Sequence, residues 1–411
     1  MHGKLGRMSI EIRQVREEDW PAIFFADGRA FGTSYTPEEI AKRLPLLDIS
    51  RFRIAVDARA GRRAQVVGVA GSFALDVTLP GGATVPMGGV TWVSTATTHR
   101  RQGLMRRVVG AVHDDIDERG EPLATLYASE GGIYEHIGYG IASYQRTTVL
   151  DRRLTRLRAD CTVTCPGVQI LDETDDVTAK LAPLWERFRR SRVGEVSRDQ
   201  TYHDALVEMR NSGTDGMSAA YYLVHADGYA VYRMKMDWEG GMPAHTLHLA
   251  EFVAITPDAH AALWQTLMDV DLVGEIHSRA LAIDDPLPYL LQNQRARRTT
   301  VLADGVWANI RDASIAFGAR TYRTEDRLVV EESDGKRWAV EGGPDGGSCK
   351  AVRSRPDLTT SHSGFSSLIY GGVLPSALVA GRRMTARNDE ALRRADLFFP
   401  TSLAPNCQTH Y

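Results

Sequence analysis

The chain has 411 residues, 43% of them hydrophobic and 25% charged, with a formal net charge of −3. That is the composition of an ordinary globular protein with chain for about two to three domains, and its balanced charge argues against nucleic acid or an anionic membrane as partner. No apolar run approaches the roughly 18 residues of a membrane-spanning helix, and the start, MHGKLGRMSIEI, lacks the apolar segment of a signal peptide. A cytoplasmic location and a short disordered arm before Met8 are expected.

Residues 10–15 (IEIRQV) read as a strand, and 17–31 as an amphipathic helix with Pro21 near its start, where a helix tolerates it. A second helix begins after Thr36, with Pro37 first and Glu39 third, the pattern of a capping box. Strands follow at 51–57, 64–79 and, beyond the Pro80-Gly81-Gly82 turn, 83–95; then a helix at 102–118 and a strand at 123–129. A second unit repeats this order. It has a strand at 168–173, helices at 176–190 and 199–210, and a hairpin around Asp227-Gly228. A strand at 245–255 and a helix at 258–269 complete it. From residue 299 the pattern changes to strands (300–310, 326–342) and short helices (312–320, 363–371, 389–399), an α+β unit. The expected division is 1–150, 151–298 and 299–411.

Cys161 and Cys165 lie close together in DCTVTCP, a strand-like segment, but without the four ligands of a zinc site, so unpaired thiols are expected and no metal. His245 and His248 lie in a strand-like run rather than one helical turn apart. The chain has no G-x-S-x-G, Walker or G-x-G-x-x-G motif, which leaves hydrolase, P-loop and Rossmann readings without their signatures.

The informative stretch is TWVSTATTHRRQGLMRRVV, 91–109. It places Arg100 and Arg101 where a helix starts, positive charge against the positive end of the helix dipole. Such a start suits an anion that uses both arginines and the unpaired N–H groups, or it is a solvated basic helix end. A shift of 159 residues places Gly103-Leu104 on Ala262-Leu263, and His99, Arg100 and Arg101 on Asp258, Ala259 and His260. The second copy therefore lacks the arginine pair and the glycine, and carries a carboxylate at its helix start.

The run Arg100-Arg101-Gln102-Gly103-Leu104-Met105 after a strand resembles the R/Q-x-x-G-x-G/A loop of GCN5-related N-acetyltransferases, with Met105 in place of that pattern's small residue. Together with YASEGGIYEHIGYG (127–140), DGYAVYR, DAHAALW, DPLPYLL and DGVWANI, in that order over essentially the whole chain, it resembles the Eis family of multi-site aminoglycoside N-acetyltransferases. The resemblance implies an α/β (α+β) fold: two fused acetyltransferase units, the first catalytic and the second degenerate, and a C-terminal sterol-carrier-protein-like domain. It implies acetyl-CoA as co-substrate, held at its pyrophosphate by Arg100, Arg101, Gln102, Gly103, Leu104, Met105 and Arg106. Val93, Ser94 and Thr95 would offer backbone groups to the pantetheine arm, with Ser129 and Glu130 on the strand opposite. Tyr134 would be the general acid for the thiolate, and the carboxylate of Tyr411, at the end of a tail entering the site, would take the amine's proton. A homo-hexamer and direct transfer in a ternary complex are also implied. Trp92 either walls the acceptor site or faces the core; Asp27, Glu38 and Asp285 are candidates for holding a cationic antibiotic. Acetylation of protein lysines, or a carrier of apolar ligands with relic units, are the alternative readings.

Overall fold

The computed structural model describes residues 10–58, 64–163, 167–211 and 216–411. The arm before Met8 and Cys165 lie outside the described residues; Ala159–Cys161, expected in an extended segment, forms a 3-10 turn.

The first unit runs β1 (Ile10–Gln14), α1 (Trp20–Phe31), α2 (Pro37–Arg43), β2 (Arg53–Asp57), β3 (Gln65–Thr78), β4 (Thr84–Thr95), α3 (Leu104–Glu118), β5 (Leu123–Tyr127), α4 (Gly131–Tyr134) and β6 (Gly140–Ile141). The expected capping box starts α2: the Glu39 amide donates to the Thr36 hydroxyl, and the Thr36 amide donates to the Glu39 carboxylate. On α3 the buried residues Leu104, Val108, Val112 and Ile116 recur every fourth position, and that stripe packs on β3 and β4. Each such side chain contributes on the order of 1.5–3 kcal/mol.

The chain continues through β7 (Tyr144–Asp151), β8 (Gln169–Ile170), α5 (Val177–Arg189), α6 (Gln200–Asn211), β9 (Tyr221–His225) and β10 (Gly228–Lys235). After a small ribbon, β11 (Trp238–Glu239) and β12 (Met242–Pro243), come β13 (His245–Ala254), α7 (Pro257–Met268), β14 (Val273–Ala282) and α8 (Leu287–Leu290). The strand expected at 168–173 is reduced to two exposed residues. Last come β15 (Arg297–Asp304), β16 (Val306–Ile310), α9 (Ala313–Gly318), β17 (Asp326–Glu332), β18 (Arg337–Gly343), β19 (Gly346–Ala351), β20 (Leu358–Thr360), α10 (His362–Ser366), α11 (Pro375–Ala380), β21 (Met384–Ala386) and α12 (Asp389–Phe398).

Three large sheets result, in the orders β1-β2-β3-β4-β5-β16-β6, β15-β7-β14-β13-β10-β9-β8 and β19-β18-β17-β20-β21. The chain trades strands between the first two. β7, which precedes residue 151 except for its last position, lies between β15 and β14 in the second sheet. β15 spans position 299 and closes that sheet, while β16 enters the first sheet between β5 and β6. Sheet membership here follows hydrogen-bonded partners far away in sequence, which local pattern does not report.

One topological detail prepares the site. β4 and β5 are parallel, and their ladder covers only Met87–Gly89 against Leu123–Thr125. β4 then runs on to Thr95 with no rung to β5, so the strands part. At the bulge between Val69 and Gly71, Trp92 takes φ +55, a conformation unusual for a bulky residue.

Gly140 shows how tightly the first and third units are joined. A Cβ there would lie 2.0 Å from the Ser363 carbonyl oxygen and 2.3 Å from the Ser367 hydroxyl. Gly140→Ala is expected to destabilise the protein by about 2 kcal/mol or more, as overpacking against backbone does, read as a lower denaturation midpoint in urea.

Candidate active site

The loop from Ala96 to Gly103 leaves β4 and starts α3. Two of its residues adopt left-handed backbone, Arg101 at φ +61 and Gly103 at φ +70. A Cβ on Gly103 would meet nothing within 4 Å, so what this position needs from glycine is the backbone angle, with open space in front of it. No side chain caps α3, and no acidic residue lies in its first turn. Among the described residues no side chain accepts from its first N–H groups, and the first-turn residues Leu104, Met105 and Arg106 line the cavity.

The second copy handles the same place differently. β13 ends at Ala254 as β4 ends at Thr95, the shift of 159 residues, but only two residues separate β13 from α7. Ala262-Leu263 is therefore inside α7 rather than at its start. That start carries Pro257 and Asp258 and is capped by the Thr256 hydroxyl, which accepts from the Ala259 amide. His260 is buried and paired with Asp285.

A cavity of about 970 Å³ lies at the parted strands. Twelve of the fourteen residues expected at the site line it: Val93, Ser94, Thr95, Arg100, Arg101, Gly103, Leu104, Met105, Arg106, Ser129, Glu130 and Tyr134. Gln102 is exposed outside the lining, and Tyr411 lies elsewhere at the strand parting. Sequence reasoning missed Arg29 and Phe31 on α1, and His136 beyond α4. The exposed aromatics Phe25 and Phe31, on a helix that buries its other large apolar residues Trp20, Ile23 and Phe24, were the available signal. The lining is cationic. Arg29, Arg100, Arg101 and Arg106 stand against Glu130, which reaches Arg100 across 3.5 Å in an exposed pair worth little. Neither Arg101 nor Arg106 has an ion-pair partner among the described residues. His99, next to the arginines, is not available to a ligand: it is buried, with Nε2 on Asp57 and Nδ1 on Thr98.

Two tyrosines near the cavity differ in their surroundings. Burial raises the Tyr134 phenol above its ordinary range, a hydrogen bond with Ser129 opposes that, and the group keeps its proton at neutral pH. Tyr139 is wholly enclosed and bonds the Nε2 of His113 at 2.8 Å. Burial, with Arg311 nearby, lowers His113 to about 3, so its ring is neutral.

The polar tail PNCQTHY is held by contacts from both of the first two units. Tyr411 inserts its ring beside Gly89, and its phenol meets the Thr125 hydroxyl at 2.6 Å, where the β4–β5 ladder ends. Tyr127 donates to the Cys407 and Thr409 carbonyls and stacks on His410. On the other side, both Glu195 oxygens accept from the Gln408 amide. Burial pushes Glu195 up to about 8 against the pull of Arg198.

The acidic candidates separate. Asp285 is engaged by His260 and Arg297 inside the second unit, so its carboxylate is already neutralised there rather than free for a cationic ligand. Glu38 is exposed in the first turn of α2. Asp27 is buried in α1 and accepts from the Tyr35 hydroxyl at 2.6 Å. Trp92 joins that neighbourhood: it packs edge-on against Phe24 and Phe52 and stacks parallel to Tyr35, so its ring is mainly a packing element.

With this geometry in place, comparison with known proteins is direct. Acetyltransferase (GNAT) domain models match residues 11–142 and 194–311. The chain is 32% identical over 406 residues to the N-acetyltransferase Eis of Mycobacterium bovis, covering 96% of this chain and 98% of that one. It is 32% identical to an N-acetyltransferase of Streptomyces avermitilis, over 97% and 98%. The crystal structure of Eis1 from Mycobacterium abscessus superimposes with a TM-score of 0.85 at 27% identity, covering 98% of this chain and 100% of that one.

The contrast between the two tyrosines can be measured. Tyr139→Phe leaves a buried ring nitrogen of His113 without a partner and is expected to cost about 1–3 kcal/mol of stability. Tyr134→Phe gives up only the hydrogen bond with Ser129 beside the cavity and should cost less, about 0.5–1.5 kcal/mol. Urea denaturation of both variants checks this.

Proposed function

Because this chain belongs to the Eis family of N-acetyltransferases, we propose that its first unit moves the acetyl group of acetyl-CoA onto amines of aminoglycoside antibiotics, at several positions, by direct transfer. The observation that carries this reading is the uncapped, arginine-flanked start of α3, open to a cavity at the parted strands. Arg100, Arg101 and the amides from Gln102 to Arg106 suit a pyrophosphate. The backbone of Val93–Thr95 has no rung to β5 and is free to pair with the pantetheine amides, with one N–H for the reacting carbonyl oxygen. The acceptor nitrogen attacks the acetyl carbon; a C–N bond forms as the C–S bond breaks. Tyr134 protonates the departing sulfur, and its raised pKa fits a donor. The amine's proton passes to the carboxylate of Tyr411, directly or through a water. For a polycationic acceptor, Glu130 is the acidic side chain in the cavity lining, and Asp27 on α1 remains the candidate outside it. A cytoplasmic homo-hexamer belongs to the same reading.

The second copy's capped helix, without the arginine loop, suits a unit that does not bind the coenzyme. The alternative of an apolar carrier with relic units gains nothing from an uncapped, cationic helix start. Release of free thiol from acetyl-CoA, with an aminoglycoside panel and a lysine peptide alongside, tests the proposal. Thiol release with aminoglycosides and multiply acetylated products are expected. Release with the peptide alone would move the acceptor class, and no release with any amine would favour the carrier. In the same assay Tyr134→Phe should lower kcat about 100-fold with little change in either KM. Arg101→Ala should weaken coenzyme binding roughly tenfold or more by calorimetry, since a charge-assisted contact is worth about 1.5–3 kcal/mol. Equal binding would remove the pyrophosphate assignment.

A further inference from the structure

The two copies share a feature beyond their order of elements: in both, a parallel strand pair parts. The β13–β14 ladder ends at Leu249 against Ser278. Under the shift of 159 residues that equates the strand ends, Leu249 corresponds to Val90, one residue past the last rung of β4. Beyond that point β14 is irregular, with Ala280 at φ +54. Parted strands expose backbone donors and acceptors that need partners. In the second copy the chain's own tail supplies them. The Phe252 amide donates to the side-chain oxygen of Gln408 at 3.1 Å, and the Gln408 side-chain nitrogen donates to the Phe252 carbonyl at 2.8 Å. Two residues earlier, Asn406 donates from its side chain to the Ala280 carbonyl and from its backbone to Val193. By the same shift, Phe252 corresponds to Val93. The Gln408 carboxamide therefore pairs with β13 at the position where, in the proposed reading, a pantetheine amide pairs with β4.

Around this amide the second unit holds the tail at successive residues. Glu195 takes the Gln408 N–H, Arg198 donates to the Thr409 hydroxyl at 2.9 Å, and Tyr202 donates to the His410 carbonyl at 2.9 Å. Arg198 is itself rigid, paired with buried Glu251 and laid over the Trp185 ring at 3.4 Å. Fixing a free segment costs about 1–2 kcal/mol of backbone entropy per residue, so a tail that ends in one defined place needs such a series of contacts.

We infer that the second unit's parted strands are the receptor for the C-terminal tail, and that Gln408, Glu195, Arg198 and Tyr202 act as positioning residues that deliver Tyr411 to the first unit's site. The delivery rests on the proposed role of Tyr411; the receptor does not. The degenerate copy keeps the groove of an acetyltransferase and uses it on its own chain.

The test uses the full-length protein with the double variant Gln408→Ala, Tyr202→Phe, and Tyr202→Phe alone as the milder change. Hydrogen exchange at the tail amides, above all those of Asn406 and Gln408, which donate to Val193 and Glu195, is read by mass spectrometry, beside kcat and both KM values. Exchange at least tenfold faster in the double variant is expected, with an intermediate rate for Tyr202→Phe. The expected kinetics are a tenfold or larger fall in kcat and an acetyl-CoA KM within twofold of the parent. Glu195→Gln, which keeps an acceptor for the Gln408 N–H, should protect the tail better than Glu195→Ala. Exchange in the double variant as slow as in the parent overturns the receptor. Fast exchange with parental kcat leaves the receptor standing and overturns both the delivery and the catalytic role of Tyr411.

Discussion

A single hydrogen bond, between the phenol of Tyr411 and the hydroxyl of Thr125, marks the point on which the molecule's design turns. It lies where two parallel strands stop pairing, and it joins residues 286 positions apart in the chain. Parting the strands is costly, because each lost rung leaves an N–H or a C=O in search of a partner. In the proposed reading the parting also makes room for the pantetheine arm. Filling one side of the gap with an aromatic side chain, and leaving the other to the cationic cavity, reconciles those two demands.

The asymmetry between the copies has an equally local origin. Eight residues connect β4 to α3, whereas two connect β13 to α7. The longer connection has room for left-handed turns at Arg101 and Gly103 and leaves the helix N–H groups unmatched. In the shorter one, Thr256 caps the helix with its own hydroxyl and Asp258 faces the dipole. A few residues of loop thus separate an end that attracts an anion from one already satisfied.

Much of this was legible in the sequence where causes are local. The Thr36–Glu39 box, the strand-loop-helix at 91–109 and the repeated order of elements are set by neighbours a few positions apart. Contacts made across the chain were not. Nothing in TVLADGVWANI distinguishes β15, which joins one sheet, from β16, which joins another; only Gly305 lies between them. Asp285 reads as a free surface carboxylate until Arg297 and His260 are brought to it. Without the resemblance nothing in the tail's composition tells where it goes, because its polar groups are matched by Tyr127, Glu195 and Tyr202, more than 200 residues away.

The interleaving of strands also bears on how the protein comes into being. β16 completes the first sheet between β5 and β6, yet 178 residues lie between Tyr127, the end of β5, and Val306. At a synthesis rate of about 5–20 residues per second, the exposed edge of β5 waits roughly 9–36 s for its partner to leave the ribosome. An open edge of that kind is a template for pairing with other nascent chains. The first unit, though encoded first, cannot finish first, and a cell making this protein must shelter that edge until the third unit begins to emerge.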